Sequence, residues 1–183
     1  MGNTEEFAVN LILIGFMGAG KSTVAKTLGE TLGRPVVEMD ELVYQKTNTR
    51  NMHEVFAKGG ELLLRETEIA IAKEYSLRKN LVVSAGGGIV QNKIILDYFK
   101  KSGGFVVFLN APFETLAKRL EKDLPHERYT ARPLFKDLKT AKNLYDFRLP
   151  LYSHYADETI DASSRSPKEI AQQIEKLIKI HGI

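Results

Sequence analysis

The chain has 183 residues, of which 43% are apolar and 27% charged, and this composition is typical of a single globular domain rather than of a disordered or fibrous protein. The formal charge of +3 is too small to indicate a nucleic-acid surface, and the absence of cysteine excludes a disulfide scaffold, a thiolate zinc site and a cysteine nucleophile. No apolar run approaches the roughly 20 residues of a membrane helix, so we expect a cytoplasmic protein with neither a membrane nor nucleic acid as its partner.

Short β-rich runs alternate with longer helical patterns along the chain. The predicted strands cover residues 10–16, 35–37, 81–85, 105–110 and 158–161. The predicted helices cover residues 22–32, 53–75, 92–101, 112–122, 138–152 and 167–180. This alternation is typical of βαβ units, so the sequence predicts an α/β fold in which helices cover both faces of a parallel sheet. Residues 123–136, which are rich in charge and contain two prolines, fit neither pattern and are our candidate for a mobile lid on a single domain spanning residues 1–183.

A phosphate-binding loop follows the first predicted strand. It consists of Gly15, Phe16, Met17, Gly18, Ala19, Gly20, Lys21, Ser22 and Thr23, a complete G-x-x-x-x-G-K-[ST] motif between a strand and a helix. Its three glycines allow the backbone torsions that turn several N–H groups toward phosphate oxygens, and the helix that follows adds its positive N-terminal end. Lys21 can then reach the β- and γ-phosphates, and the Ser22 hydroxyl can ligate Mg²⁺.

Two further patterns narrow the class of nucleotide-binding protein. A GTPase would carry N-K-x-D for guanine, but the pair Asn92-Lys93 is followed by two isoleucines. Large motor ATPases carry an acidic residue at the end of an apolar strand well downstream, whereas the apolar strand here ends in Asn110. An acidic residue that helps to hold Mg²⁺ must therefore come from another part of the chain.

The nearest candidate acids are Glu38 and Asp40, at the end of the short second strand. Their i, i+2 spacing would let both side chains leave the same face of an extended segment. Asp40 also suits the N-cap of a short helix over residues 41–46, a structural role that is compatible with ligand binding.

A second glycine-rich turn, Gly86-Gly87-Gly88, ends another predicted strand. Three consecutive glycines cost backbone entropy that a plain turn does not require, so a ligand approaching the backbone is the better explanation. The carboxyl ends of parallel strands are also where open α/β sheets bind ligands. Arg65 and Arg148 lie in predicted helices, where each alone suits a solvated surface; together they suit a small anionic acceptor, because a guanidinium can hold a carboxylate by two hydrogen bonds.

Taken in order along the chain, these segments resemble the shikimate kinase family, from about residue 11 to residue 167. The segments that carry the resemblance are the phosphate loop, Glu38-Met39-Asp40, Glu54-Val55-Phe56, Gly60-Glu61, Arg65-Glu66-Thr67-Glu68, Gly86-Gly87-Gly88, Arg132-Pro133-Leu134 and Arg148-Leu149-Pro150-Leu151-Tyr152. The resemblance implies a P-loop kinase fold similar to that of nucleoside monophosphate kinases, a three-layer α/β/α arrangement with a five-stranded parallel sheet. It also implies transfer of the γ-phosphoryl group of ATP to the 3-hydroxyl of shikimate, in aromatic amino-acid biosynthesis.

The resemblance further implies roles for individual residues. Asp40 would contact the hydroxyls of shikimate as the base candidate, and Arg65 and Arg148 would hold the carboxylate of shikimate. Gly86, Gly87 and Gly88 would also bind this substrate, with Gly87 contacting the ring. The implied ATP-binding residues are Gly15, Gly18, Ala19, Gly20, Lys21, Ser22, Thr23, Arg132 from the lid and Arg165 near the adenine. Lys21, Asp40 and Arg132 are the implied catalytic residues, and Mg²⁺ would be held by Ser22 and, through water, by Glu38.

The sequence departs from the family pattern at two places and leaves two alternatives open. Glu38 stands where the family usually has Asp, and Leu64 stands where an aromatic residue commonly precedes the arginine. The alternatives are another small-metabolite kinase, such as a gluconate kinase, and a nucleotide-binding regulatory module without turnover. We expect a monomer, because the lid and the site belong to one chain.

Overall fold

Five parallel strands form the centre of the structure, a computed structural model that describes residues 9–123 and 137–183. The strands are β1 (Leu11–Ile14), β2 (Val36–Glu38), β3 (Val82–Ser84), β4 (Phe105–Asn110) and β5 (Glu158–Asp161). Their order in the sheet is β2-β3-β1-β4-β5, and every neighbouring pair is parallel. The predicted five-stranded parallel sheet is therefore confirmed.

Helices connect the strands, as parallel pairing requires. In the described part of the chain they are α1 (Lys21–Leu32), α2 (Met39–Thr47), α3 (Met52–Ser76), α4 (Lys93–Lys101), α5 (Phe113–Asp123), α6 (Leu138–Tyr155) and α7 (Pro167–His181), with a 3₁₀ helix at Ile89–Gln91. Helix α1 packs against α7, and α3 packs against α4. None of the helices in these two ranges is long and apolar enough to cross a membrane.

The central strand β1 shows why the sheet lies between two layers of helices. Its four residues are all apolar and fully buried, although alternate side chains point to opposite faces of the sheet. Both faces are therefore covered, which confirms the three-layer α/β/α arrangement. Because β1 is also paired on both edges, with β3 and with β4, its carboxyl end opens into the middle of the molecule.

Helix α3 carries a bend that the sequence analysis did not predict. Gly60 has φ 67° and ψ −160°, which is not helical, so the 25-residue helix consists of two helical pieces that meet at this glycine. A positive φ of this size favours glycine over residues that carry a side chain. Residues from both pieces, Phe56 before the bend and Arg65 after it, line the same cavity.

The candidate lid, residues 123–136, lies outside the described residues apart from Asp123, the last residue of α5. Arg132, the arginine that the resemblance assigns to the lid, is one of the residues that the structure does not describe.

Candidate active site

A cavity of about 420 Å³ opens where β1, β2 and β3 end. Its walls come from the phosphate loop, α2, α3, the triple glycine and α6. The predicted site residues that line it are Gly18, Gly20, Lys21, Ser22, Thr23, Glu38, Asp40, Arg65, Gly86, Gly87, Gly88 and Arg148. The structure thus brings the predicted donor and acceptor residues together in one cavity. Gly15 and Ala19 lie in the same loop behind this surface.

The backbone of the phosphate loop has the predicted torsions. Gly15, Gly18 and Gly20 have φ values of 148°, 81° and 86°. At Gly15 a side chain would also collide with the backbone, because a Cβ there would lie 2.7 Å from the carbonyl oxygen of Leu109. Helix α1 begins directly after Gly20 with no side chain capping its first turn, so an anion can take the place of a cap at this end of the helix.

Lys21 already lies over the loop that it is predicted to serve. Its Nζ donates to the carbonyl oxygens of Gly15 at 2.9 Å and Phe16 at 3.1 Å. These bonds fold the side chain back along the loop, so the ammonium group is held beside the backbone that would bind the phosphates. A point charge at this place suits the β- and γ-phosphates of a nucleotide.

Ser22, Glu38 and Ser84 form a small polar cluster where the sequence analysis places Mg²⁺. The Ser22 hydroxyl donates to Glu38 Oε2 at 3.0 Å, and Ser22 Oγ lies 3.4 Å from Ser84 Oγ. Burial raises the pKa of Glu38, while hydrogen bonds from Ser84 and Ser22 oppose that rise. Ser84 is a residue that the sequence analysis did not assign to the site. Its position as the last residue of β3, directly before the glycine-rich turn, is the signal that could have identified it.

These donors fit Mg²⁺ bound together with a nucleotide. Within the described ranges no group of three His, Cys, Asp or Glu side chains is arranged to hold a metal on its own. Mg²⁺ commonly needs few protein ligands, because it keeps several waters and takes phosphate oxygens from its substrate. One hydroxyl and one carboxylate at the phosphate loop are therefore sufficient.

The predicted geometry of Glu38 and Asp40 is wrong in detail. Only Glu38 belongs to β2, whereas α2 begins at Met39 and places Asp40 in its first turn. The N-cap position is occupied by Glu38, with φ −92° and ψ 108°, so the expectation that Asp40 caps the helix is also wrong. Both carboxylates still line the cavity because the strand passes directly into the helix at this point. An acidic residue in the first turn is favoured by the positive end of the helix dipole.

The first residue of the triple glycine lies against two carboxylates. A Cβ on Gly86 would be 2.8 Å from Asp40 Oδ1 and 3.4 Å from Glu68 Oε1. Glu68 is only 3% exposed, and burial raises its pKa even though Arg65 opposes the shift. The nearby charge of Asp40 raises the pKa of Glu68 further. The absence of a side chain at Gly86 is what allows both acids to lie here.

We expect Gly86→Ala to lower kcat by about 10²-fold, since Asp40 is the predicted base and a displacement of about 1 Å of a catalytic group can have an effect of this size. The added methyl group would push the Asp40 carboxylate aside, while the backbone at Gly86, which is not left-handed, would accept alanine. Steady-state kinetics and a thermal melt would measure the two effects. In Gly87→Ala, whose Cβ would meet nothing nearer than 3.6 Å, kcat should be kept and any effect should fall on KM. Full kcat in Gly86→Ala would contradict this account of Asp40.

Neither of the two predicted arginines is a solvated surface residue of its helix. Arg148 is 6% exposed, and burial lowers its pKa. The Arg65 side chain is 17% exposed; burial opposes its charge, yet ion pairs to Glu68 at 2.7 Å and Glu61 at 3.0 Å leave its pKa raised. The buried Nε of Arg148 has no hydrogen-bond partner among the described residues. An anion that bound beside Arg148 in the cavity would pair with its buried charge.

Tyr152 connects α6, the helix that carries Arg148, to the triple glycine. Its hydroxyl donates to the carbonyl oxygen of Gly87 at 2.5 Å, and its ring stacks on Phe108 with 5.1 Å between ring centroids. The side chain is fully buried, which raises the pKa of its hydroxyl. Tyr152 therefore holds α6, and with it Arg148, against the end of β3 and the core strand β4.

Arg165 lies outside this cavity. Its Nη1 donates to the carbonyl oxygen of Asp161 at 2.6 Å, and the side chain is exposed at the end of β5. A contact between Arg165 and adenine therefore stays a prediction, as does the role of Arg132.

Known proteins resemble the chain over nearly its whole length. The shikimate kinase family model matches residues 17–179. A shikimate kinase of Lactococcus lactis subsp. lactis is 40% identical over 166 residues, which are 91% of this chain and 96% of that protein. A solved shikimate kinase from Acinetobacter baumannii, in complex with shikimate, is 32% identical with a TM-score of 0.85 and covers 96% of each chain.

A gluconokinase from Sinorhizobium meliloti shares only the fold, with 18% identity and a TM-score of 0.56 over 96% of this chain and 97% of that one. The 40% identity to the Lactococcus relative is more than twice the 18% identity to the gluconokinase, and the family model matches residues 17–179. Both findings agree with the motifs and with the cavity that the motif residues line. The chain belongs to the shikimate kinase family and is an ATP-dependent kinase.

Proposed function

We propose that the chain transfers the γ-phosphoryl group of ATP to the 3-hydroxyl of shikimate, giving shikimate 3-phosphate and ADP in aromatic amino-acid biosynthesis. The observation that carries the proposal is the convergence, in one cavity, of a phosphate loop, a carboxylate and two buried arginines. The loop suits the donor, and the arginines suit a small acceptor that bears a carboxylate. The solved relative from A. baumannii, which is in complex with shikimate, supports this choice of acceptor.

On the donor side, the phosphate loop would position ATP. The N-terminal end of α1 and the loop backbone would bind the β- and γ-phosphates, and Lys21 would contribute its charge beside them. Ser22 and, through a water, Glu38 would hold Mg²⁺, which offsets the negative charge of the phosphate oxygens when bound. Ser84 would help to keep Glu38 oriented toward this place, because its hydroxyl lies beside the Ser22 hydroxyl that donates to that carboxylate.

On the acceptor side, Asp40 would orient the attacking hydroxyl and accept its proton. Phosphoryl transfer passes through a loose transition state, so positioning the hydroxyl in line with the phosphorus matters more than early removal of its proton. Asp40 suits this task because its carboxylate lies beside the Gly86 backbone at the wall of the cavity. Arg65 and Arg148 would fix the opposite end of the acceptor through its carboxylate.

Arg132 would bring a positive charge onto the migrating phosphoryl group when the lid closes. Arginines that play this part in related chemistry contribute about 10³-fold or more to turnover. We therefore expect Arg132→Ala to lower kcat strongly, with a smaller effect on shikimate binding. An unchanged kcat would remove Arg132 from the mechanism.

The function is tested by ADP release from Mg-ATP with purified protein. Shikimate would be compared with gluconate, quinate, a nucleoside monophosphate and no acceptor. We expect strong stimulation by shikimate alone. Stimulation by another acceptor would support a kinase reaction but assign it a different substrate. ATP binding without stimulation by any acceptor would favour a regulatory module.

We also infer that the enzyme acts as a monomeric single domain, residues 1–183, in the cytoplasm. Residues of this chain suited to the donor and to the acceptor converge on one cavity, which supports a site that works without a second copy. Light scattering coupled to size-exclusion chromatography would measure the molecular mass in solution; a mass of twice 20.6 kDa would contradict the monomer.

A further inference from the structure

Gln91 touches both arginines of the proposed acceptor site, although no motif pointed to it. It is the last residue of the 3₁₀ helix Ile89–Gln91, which follows the triple glycine. Its Oε1 accepts a hydrogen bond from Arg148 Nη2 at 2.5 Å and another from Arg65 Nη2 at 3.3 Å. One neutral oxygen is therefore shared by two guanidinium groups.

The two arginines differ in how their charges are balanced. Arg65 has ion pairs to Glu68 and Glu61, whereas Arg148 has no carboxylate within ion-pair distance among residues 9–123 and 137–183. Burial lowers the pKa of Arg148, and the neighbouring charge of Arg65 lowers it further. Gln91 satisfies one donor of Arg148 without cancelling its charge. The guanidinium of Arg148, on which Glu61 and Glu68 act only from beyond ion-pair distance, therefore keeps its charge for an anion that reaches it.

The backbone of Gln91 is anchored by its neighbours, whereas its side chain is exposed and is held by the two arginines. The Gln91 amide donates to the carbonyl oxygen of Gly88 at 3.1 Å, and the two preceding residues, Ile89 and Val90, are buried. The side chain itself is exposed. It can therefore change rotamer without disturbing the core, and this would free the Nη2 donor of Arg148 that Gln91 occupies.

We propose that Gln91 is a positioning residue that takes the place of the acceptor carboxylate before the acceptor binds. It holds the two guanidinium groups at one point, and then gives up the Arg148 hydrogen bond to the carboxylate. A carboxylate wins this exchange because it brings a full negative charge and can accept two parallel N–H···O bonds from a guanidinium, whereas the neutral amide offers one uncharged oxygen. An acceptor without a carboxylate has no such advantage, so the same residue contributes to specificity. This inference rests on the proposed function.

The decisive variants are Gln91→Glu and Gln91→Ala. Gln91→Glu keeps the shape but adds a carboxylate tethered beside both arginines, which competes with the acceptor. We expect it to raise both the KM and the calorimetric Kd for shikimate by about 30-fold, with kcat and the KM for ATP within twofold of the parent. Gln91→Ala adds no competitor, so we expect a rise in KM of no more than about threefold.

The order of the two effects separates the proposal from a purely structural role. If Gln91 only supported the local fold, the isosteric Gln91→Glu would be the milder change and Gln91→Ala the more damaging one. A Gln91→Glu variant with unchanged KM, or one less affected than Gln91→Ala, would overturn the proposal. Gln172→Glu, an equal charge change at an exposed position of α7 away from the cavity, should leave every constant unchanged.

The parent protein in the same calorimetric series tests the proposed function separately. If the parent binds no shikimate, the proposed acceptor is wrong and the proposal for Gln91 fails with it. If the parent binds shikimate but the two variants bind it equally well, the function stands and only the role of Gln91 is wrong.

Discussion

Asp40→Asn is expected to lower kcat by at least about 100-fold while the Kd for ATP changes by less than twofold. The amide keeps the size of the carboxylate and can still accept a hydrogen bond, but it can neither take up the hydroxyl proton nor act on it with a full negative charge, and general base groups contribute about 10²-fold to 10⁴-fold. Asp40 lies in the first turn of α2, whereas the phosphates would bind at the loop before α1. ATP affinity should therefore be independent of this charge.

Steady-state kinetics and calorimetry with ATP alone would measure the two effects of Asp40→Asn separately. Glu41→Gln is the matched control, because it removes a carboxylate from the adjacent, exposed position of the same helix, and its side chain does not line the cavity. We expect this control to behave as the parent does. A large loss of ATP affinity in Asp40→Asn would show that Asp40 serves the donor side, and an unchanged kcat would remove it from the reaction altogether.

Local patterns predicted the parts of the site that are contiguous in sequence. The torsions of the phosphate loop follow from glycines at fixed spacing, so Gly15, Gly18 and Gly20 were predictable and are confirmed. Hydrophobic runs located all five strands, although the first was predicted three residues too long, one at its start and two at its end. Phe16 is apolar and buried, like a strand residue, but the chain leaves β1 at Gly15, and composition alone does not reveal that turn.

The contacts that the sequence analysis missed join residues that lie far apart in the chain. Ser84 meets Ser22 across 62 positions, and Gln91 meets Arg148 across 57. No periodicity connects such pairs, because they depend on how β3 and α6 are placed beside the phosphate loop. The start of α2 was missed for a different reason: the spacing of Glu38 and Asp40 fits an extended segment as well as a helix that begins between them.

Burial of an arginine without a carboxylate partner indicates a site built for its ligand rather than for stability. A buried charge is costly, and replacing it by an apolar residue of similar volume is often neutral or stabilising. Arg148 is 6% exposed, its Nε has no partner in the described structure, and its strongest hydrogen bond is to the neutral Gln91. The free energy lost by burying this charge should be recovered only when an anion binds beside it.

We therefore expect Arg148→Met to weaken shikimate binding by about 100-fold while leaving the melting temperature of the free protein unchanged or higher. Loss of hydrogen bonds to a charged group costs about 1.5–3 kcal/mol each, and about 1.4 kcal/mol corresponds to a factor of ten in affinity. Because a ligand stabilises the state that it binds, shikimate at about 100 times the parent Kd should raise the melting temperature of the parent clearly and that of Arg148→Met only slightly. Arg78→Met, at an exposed arginine near the end of α3, should keep that response. If Arg148→Met melted well below the parent yet still bound shikimate, Arg148 would be a structural residue, and the carboxylate of the acceptor would have to be held elsewhere.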